Sequence, residues 1–172
     1  MKNNHKQQRI FLLGEQGVGK TSVGRGLART LRFDFYDVNA MIEERSGVEL
    51  SWIKDREGEE GIHCRTQKIL NELLNKENIV IAAGNNINSN AVNKTLSHAG
   101  IVVYLQASVS ERLTRLANRR KTDEKVCSKT EQSNFNYEGI ADIVINTDSL
   151  SRPAVISELA KQLMPNISSM NS

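Results

Sequence analysis

A doubly wound α/β fold with a five-stranded parallel sheet is predicted by two features of this 172-residue chain. Short apolar runs without polar alternation recur along it, and helix-type segments separate them. Continuous runs read as strands covered on both faces, which is the pattern of a parallel sheet rather than of a half-exposed antiparallel one.

Arg9-Ile-Phe-Leu-Leu13 is the first run, and it ends at a glycine loop. Phe33 to Asp37 is a short second strand, Ile79 to Ala83 a third ending at Gly84, Ile101 to Leu105 a fourth, and Ile143 to Ile145 a fifth. The helix over Lys20 to Leu31 opens directly from the glycine loop. Gly58 to Asn75 carries Ile62, Ile69, Leu70, Leu73 and Leu74 at roughly helical spacing. Ser108 and Glu111 form a capping box ahead of Val109, Leu113 and Leu116. Ser151 caps a last helix, with Pro153 in its first turn and Val155, Ile156, Leu159 and Leu163 on one face. The β-α-β order makes this a doubly wound sheet.

The length suits one domain. The expected limits are a flexible tail over 1–8, one domain over 9–164 and a flexible tail over 165–172; the polar stretch at about 121–136 carries no strand signal. The net charge of +3 is spread along the chain, so nucleic-acid binding is not inferred. The first apolar run is too short for a signal peptide or a membrane span, and Cys64 and Cys127 read as free thiols. A cytoplasmic protein is the expectation. No zinc-ligand spacing occurs, and Trp52 is expected in the core.

Gly14-Glu-Gln-Gly-Val-Gly-Lys-Thr21 matches G-x-x-x-x-G-K-[ST] with a strand before and a helix after. Such a loop binds ATP. Gly14, Gly17, Val18, Gly19 and Ser22 belong to the backbone cradle at a helix N-terminus, whose partial positive charge suits phosphate. Lys20 would reach the β- and γ-phosphates, and the Thr21 hydroxyl would ligate Mg²⁺. Asp37 ends the second strand, where ligands of doubly wound sheets lie. It reads either as a carboxylate on the Mg²⁺ side or as a turn-forming residue.

From about Phe11 to Ile145 the chain resembles the shikimate kinase family. The segments that carry the likeness are Gly14 to Thr21, Phe35-Tyr-Asp37, Glu57-Gly-Glu-Glu-Gly61, Ile79 to Gly84, Val103-Tyr-Leu105 and Tyr137-Glu-Gly-Ile-Ala-Asp142. The resemblance implies a P-loop nucleoside-triphosphate kinase fold with a mobile lid, and transfer of the ATP γ-phosphoryl group to a shikimate hydroxyl. It implies Lys20 and Asp37 as the catalytic pair, with Asp37 on the Mg²⁺ side. Arg115 matches an arginine that packs on adenine; its other reading is an exposed helix arginine.

On the acceptor side the chain departs from the family. Asn39 stands where the family has a carboxylate that binds and deprotonates the shikimate hydroxyl. Ile62-His63 followed by Thr66 replaces Phe-Arg followed by Glu. Asn85 and Asn86 replace two glycines, and Ser133 a second carboxylate-binding arginine. Thr122 aligns with the family's lid arginine, a role open to Arg119 or Arg120. His63 reads either as a base facing the acceptor pocket or as a partly exposed helix histidine. These substitutions predict a degenerate shikimate site. They favour a nucleotide-dependent regulator or scaffold with an unknown protein partner. The alternative is an active kinase for a hydroxyl of a small molecule, shikimate or another acceptor. A slow ATPase is a further possibility.

Overall fold

The structure is a computed structural model and describes residues 9–84, 87, 90–120 and 137–168. The tail over 1–8, the stretch over 121–136, and residues Asn85, Asn86, Cys127 and Ser133 lie outside the described residues.

Strand β1 (Arg9–Leu13) leads through the glycine loop to α1 (Lys20–Leu31), and then come β2 (Asp34–Asp37), α2 (Val38–Ser46) and α3 (Leu50–Leu73). Next are β3 (Ile79–Ala82), α4 (Asn90–Ala99), β4 (Ile101–Gln106) and α5 (Val109–Arg120). A 3-10 turn over Tyr137–Gly139, β5 (Ile143–Asn146) and α6 (Arg152–Ser168) complete the described chain. The sheet order is β2-β3-β1-β4-β5 and every pairing is parallel. β1 is therefore central, with β3 on one side and β4 on the other. The chain leaves β1 at the point where strand order reverses, which is where such sheets bind ligands.

The alternation of β1 side chains divides the core in two. Ile10 and Leu12 face α1 and α6, packing with Leu27, Leu159 and Leu163. Phe11 and Leu13 face the other side, packing with Ile42, Ile62, Leu73 and Leu96 of α2, α3 and α4. Phe11 is fully buried. Phe11→Ala is expected to destabilise the fold by about 3–5 kcal/mol, since large-to-small changes lose transfer energy and leave a cavity. Urea unfolding with an unchanged slope checks it.

Two helices were not anticipated. α2 buries only Val38 and Ile42, too few positions to reveal a period. α4 has a polar composition interrupted by Val92 and Leu96, both buried. α3 begins eight residues before the predicted Gly58. Gly58 is nevertheless a break, with φ 71° and ψ −172° inside the helix. Trp52 corrects an expectation: it is 48% exposed rather than core. The Arg56 guanidinium lies 5.7 Å from its ring centroid, so the indole face is covered by a cation instead of apolar packing. α6 runs on through Pro165 to Ser168 where a tail was expected from residue 165. Pro165 has no N–H to donate to the Lys161 carbonyl, so the helix continues past it with one backbone bond missing.

Tyr137 is buried against Tyr104, ring centroids 5.2 Å apart. Asp142 accepts from the Val102 amide at 2.9 Å. The Tyr137 to Asp142 segment thus ties the entry of β5 to β4. No described helix is long and apolar enough to cross a membrane.

Candidate active site

The loop between β1 and α1 is shaped by its glycines. Gly14 has φ +149°, and a Cβ there would stand 2.5 Å from the Leu105 carbonyl oxygen at the end of β4. Gly19 has φ +101° and is the N-cap of α1, with open space beside it. Its left-handed backbone is cheap only for glycine. α1 begins with no side-chain cap and no acidic residue in its first turn. Its leading amides and dipole are thus available to an anion. Val18 is buried and pins the loop to the core shared with α1.

Lys20 Nζ donates to the carbonyls of Gly14 at 2.5 Å and Glu15 at 3.1 Å. Enclosure in the loop lowers its pKa to about 8; Glu15 and Asp37 oppose the shift, and Arg112 and Arg119 add to it. The Thr21 hydroxyl donates to Asp37 Oδ2 at 2.6 Å. Asp37 Oδ1 accepts from the Ala40 amide at 3.2 Å and so caps α2. The turn-forming reading of Asp37 is thus the one its contacts show. The carboxylate orders the turn after β2 and stands beside the phosphate loop.

Two cavities open on this loop. The first, of about 480 Å³, is lined by Gly17, Gly19, Ser22, Arg115, Thr147 and Arg152, among others. A volume of this order suits a nucleoside. Arg115 is held on its wall by four bonds. Its Nε donates to Glu111 Oε1 at 2.9 Å and its Nη1 to the Val18 carbonyl at 3.1 Å and Thr147 Oγ1 at 2.9 Å. Its Nη2 donates to the Thr147 carbonyl at 2.9 Å. Thr147 is itself buried and donates to the Gln106 carbonyl at 3.0 Å. Arg115 is thus fixed at the cavity rather than waving from an exposed helix face.

The second cavity, of about 270 Å³, is lined by Lys20, Thr21, Asp37, Asn39, Gly84 and Arg119, among others. Asn39 Oδ1 is buried without a hydrogen-bond partner among the described residues. A Cβ on Gly84 would come within 2.4 Å of it, so the amide lies flat on bare backbone at the end of β3. His63 is half-buried on α3 and does not line this cavity. Thr66, one turn on, is buried, and its hydroxyl has no partner among the described residues. Arg65 is turned to Glu57, with Nη2 to Oε1 at 2.9 Å and Nη1 to Oε2 at 2.5 Å.

Sequence reasoning missed Thr147 and Arg112. Thr147 directly follows β5, and the strand-end rule could have singled it out. Arg112 is only 3% exposed, and its Nη1 donates to the Gln16 carbonyl at 3.4 Å. Its spacing to Arg115 places both on one helix face, but only the docking of α5 shows which face that is.

A parallel sheet in this order, with a phosphate loop at its switch point, defines a P-loop kinase type of fold. A family model described as shikimate kinase matches residues 16–164. A shikimate kinase of Pseudoalteromonas atlantica is 38% identical over 167 residues, covering 92% of this chain and 98% of that one. Shikimate kinase 1 of Escherichia coli is 36% identical over 171 residues, covering 94% and 99%. The solved shikimate kinase of Acinetobacter baumannii in complex with shikimate superposes with a TM-score of 0.80 at 29% identity, covering 94% and 96%. The chain belongs to the shikimate kinase family.

Proposed function

We propose that this chain transfers the γ-phosphoryl group of ATP to a hydroxyl of a small polar acceptor, shikimate or a related molecule. The observation that carries this reading is the meeting of two cavities at one phosphate loop: both are lined by Gly17, Gly19 and Arg119, and the smaller one also by Lys20, Thr21 and Asp37. A regulator or scaffold, favoured by the acceptor-side substitutions, needs no second cavity. Relatives along the whole chain are kinases, and this too supports the catalytic reading.

In this reading the nucleoside occupies the larger cavity against Arg115, and the loop amides and Lys20 hold its phosphates. The hard oxygens of Thr21 and Asp37, 2.6 Å apart, suit Mg²⁺. Thr21 and Asp37 would hold that ion, and it would supply positive charge against the phosphates. Asn39 Oδ1 accepts a hydrogen bond from the acceptor hydroxyl, which gives the buried oxygen the partner it lacks. An amide cannot take the proton. In a loose phosphoryl transition state the attacking oxygen needs little deprotonation in advance, and the proton leaves to water.

A coupled ADP-release assay with shikimate, polyols and hydroxy acids tests the proposal. Release that depends on an acceptor is expected. Release without one would mean an ATPase, and none despite ATP binding would mean a regulator.

The pH profile of binding follows from Lys20. Its pKa of about 8 means that the free loop loses its ammonium above that pH. Mg-ATP affinity should change little from pH 7 to 8, then fall by up to about tenfold per pH unit, because binding must restore the proton. Calorimetry at pH 8.5 in buffers of different ionisation enthalpy should show proton uptake. Fold stability moves the other way. Between pH 8 and the ordinary lysine range the unfolded chain holds the proton that the folded one has lost. The Lys20 contribution to stability therefore rises with pH there.

A further inference from the structure

Helix α3 breaks at Gly58, whose φ of 71° and ψ of −172° suit glycine alone. In a straight helix Trp52 and Lys68 would stand about 24 Å apart along the axis, at about 1.5 Å per residue. With the break, both line one cavity of about 380 Å³ between α2 and α3. A volume of this order suits a small ligand. The cavity shares no lining residue with the two at the phosphate loop. Its apolar lining is continuous with the core: Ile42 and Ile69 are buried, and Val48 packs against the same cluster.

The polar lining is unequal. Three cations, Arg45, Arg65 and Lys68, face one carboxylate, Glu57. Both arginines are already satisfied. Arg45 donates to the two oxygens of Glu72 at 2.9 and 2.7 Å, and Arg65 makes the same two-bond pair with Glu57. Lys68 has no hydrogen bond or ion pair among the described residues. One ammonium is thus free beside an apolar lining. The remaining wall is Trp52, the sole tryptophan of the chain and half-exposed. Arg56 lies over its ring but does not line the cavity. An indole offers a flat apolar surface on which another ring stacks.

We propose that this cleft is a binding site for a small aromatic carboxylate, its ring on Trp52 and its carboxylate on Lys68. The apolar lining and the indole select a flat apolar body. The single free ammonium selects one negative charge. A nucleotide fits less well, since its phosphates call for several free cations and both arginines here are spent on glutamates.

The test uses 2-naphthoate as the probe, with 2-naphthylmethanol as its uncharged counterpart and acetate as the charge without the ring. The single tryptophan gives one indole N–H signal in a ¹H–¹⁵N spectrum of the full chain, so that signal reports on the cleft directly. In wild type, 2-naphthoate should shift it and saturate at roughly millimolar concentration, as expected for a ligand of about a dozen non-hydrogen atoms. The alcohol should bind about five- to tenfold more weakly, the range for a charge-assisted contact that is partly open to water. Acetate should leave the signal in place. Lys68→Gln should bring the acid down to the affinity of the alcohol. Trp52→Ala, followed by calorimetry, should weaken acid and alcohol alike by about tenfold. Both side chains are exposed, so circular dichroism should show an unchanged fold. Lys161→Gln, on the exposed side of α6, makes the same charge change as Lys68→Gln and should keep the wild-type preference. Saturating Mg-ADP should not displace the probe. An indole signal that does not move, equal affinity for acid and alcohol in wild type, or displacement by Mg-ADP would each overturn the proposal. Tighter saturation of the same signal by AMP than by 2-naphthoate would also overturn it, and would make the cleft a nucleotide site.

Discussion

Lys20→Ala is expected to weaken Mg-ATP binding by at least about 10²-fold, since hydrogen bonds to charged groups contribute about 1.5–3 kcal/mol each and the ammonium would make one to each of two phosphates. The fold itself should not suffer in proportion. Lys20 is held against loop carbonyls, and burial opposes its charge, as its lowered pKa of about 8 records. Removing an ammonium that is costly to bury can leave stability unchanged or raise it, a common trade between stability and function. The expected pair of results is a thermal midpoint near or above wild type and a loss of nucleotide heat in titration. Lys20→Gln, which can still bond a loop carbonyl but lacks the charge, should lose most of the affinity as well. Equal affinity in wild type and both variants would remove Lys20 from the phosphate site.

Legibility in the sequence followed the range of the interactions involved. The phosphate loop is local: β1, the glycines and α1 lie within Arg9–Leu31, and apolar run, turn chemistry and helix agree over that span. β1, β3 and β4 were legible because each is a continuous, largely buried apolar run, whereas the edge strands β2 and β5 are partly exposed and were legible from their place in the strand–helix alternation. α2 was not, because its start depends on a single contact, the Asp37 carboxylate on the Ala40 amide, placed immediately after a strand. Trp52 misled because residue type argues for burial, while Arg56 at the next helical turn covers its ring. The family likeness supplied Arg115. The reason it is fixed, Thr147, lies 32 residues away in sequence and becomes visible only once β5 sits beside β4. The boundary position of Arg119 is likewise non-local: it follows from α5 packing on Gly17. The choice of acceptor is hardest to read, since it rests on a few side chains converging from α2, α3 and the end of β3.

The acceptor side carries the second large effect. Shikimate would bring a carboxylate, and among the described residues the cations lining the smaller cavity are Arg119 and Lys20, the latter proposed above for phosphate. Arg65 offers no substitute clamp, being paired with Glu57 and bonded to the Gly61 carbonyl. Wild type is therefore expected to turn over shikimate well below the roughly 1–100 s⁻¹ usual for kinases. The combined variant Asn39→Asp, His63→Arg, Thr66→Glu, Asn85→Gly, Asn86→Gly and Ser133→Arg should restore contact with it. Two new charge-assisted clamps at about 1.5–3 kcal/mol each correspond to roughly 10²–10⁴-fold in shikimate affinity. A carboxylate at position 39 adds a base worth up to about 10²–10⁴ in rate. The single changes should not add. Thr66 is buried, so Thr66→Glu alone places an unpaired carboxylate in the interior and should destabilise the fold. Adding His63→Arg supplies a partner one turn away and should recover much of that loss, a coupling that a double-mutant cycle reads directly. Shikimate binding is followed by NMR titration, with circular dichroism to establish folding. Ordinary kinase turnover of shikimate by wild type would show that the substituted site is sufficient as it stands. A folded combined variant without shikimate contact would mean that the cavity has been reshaped around a different acceptor, and the polyols and hydroxy acids would then be the molecules to titrate.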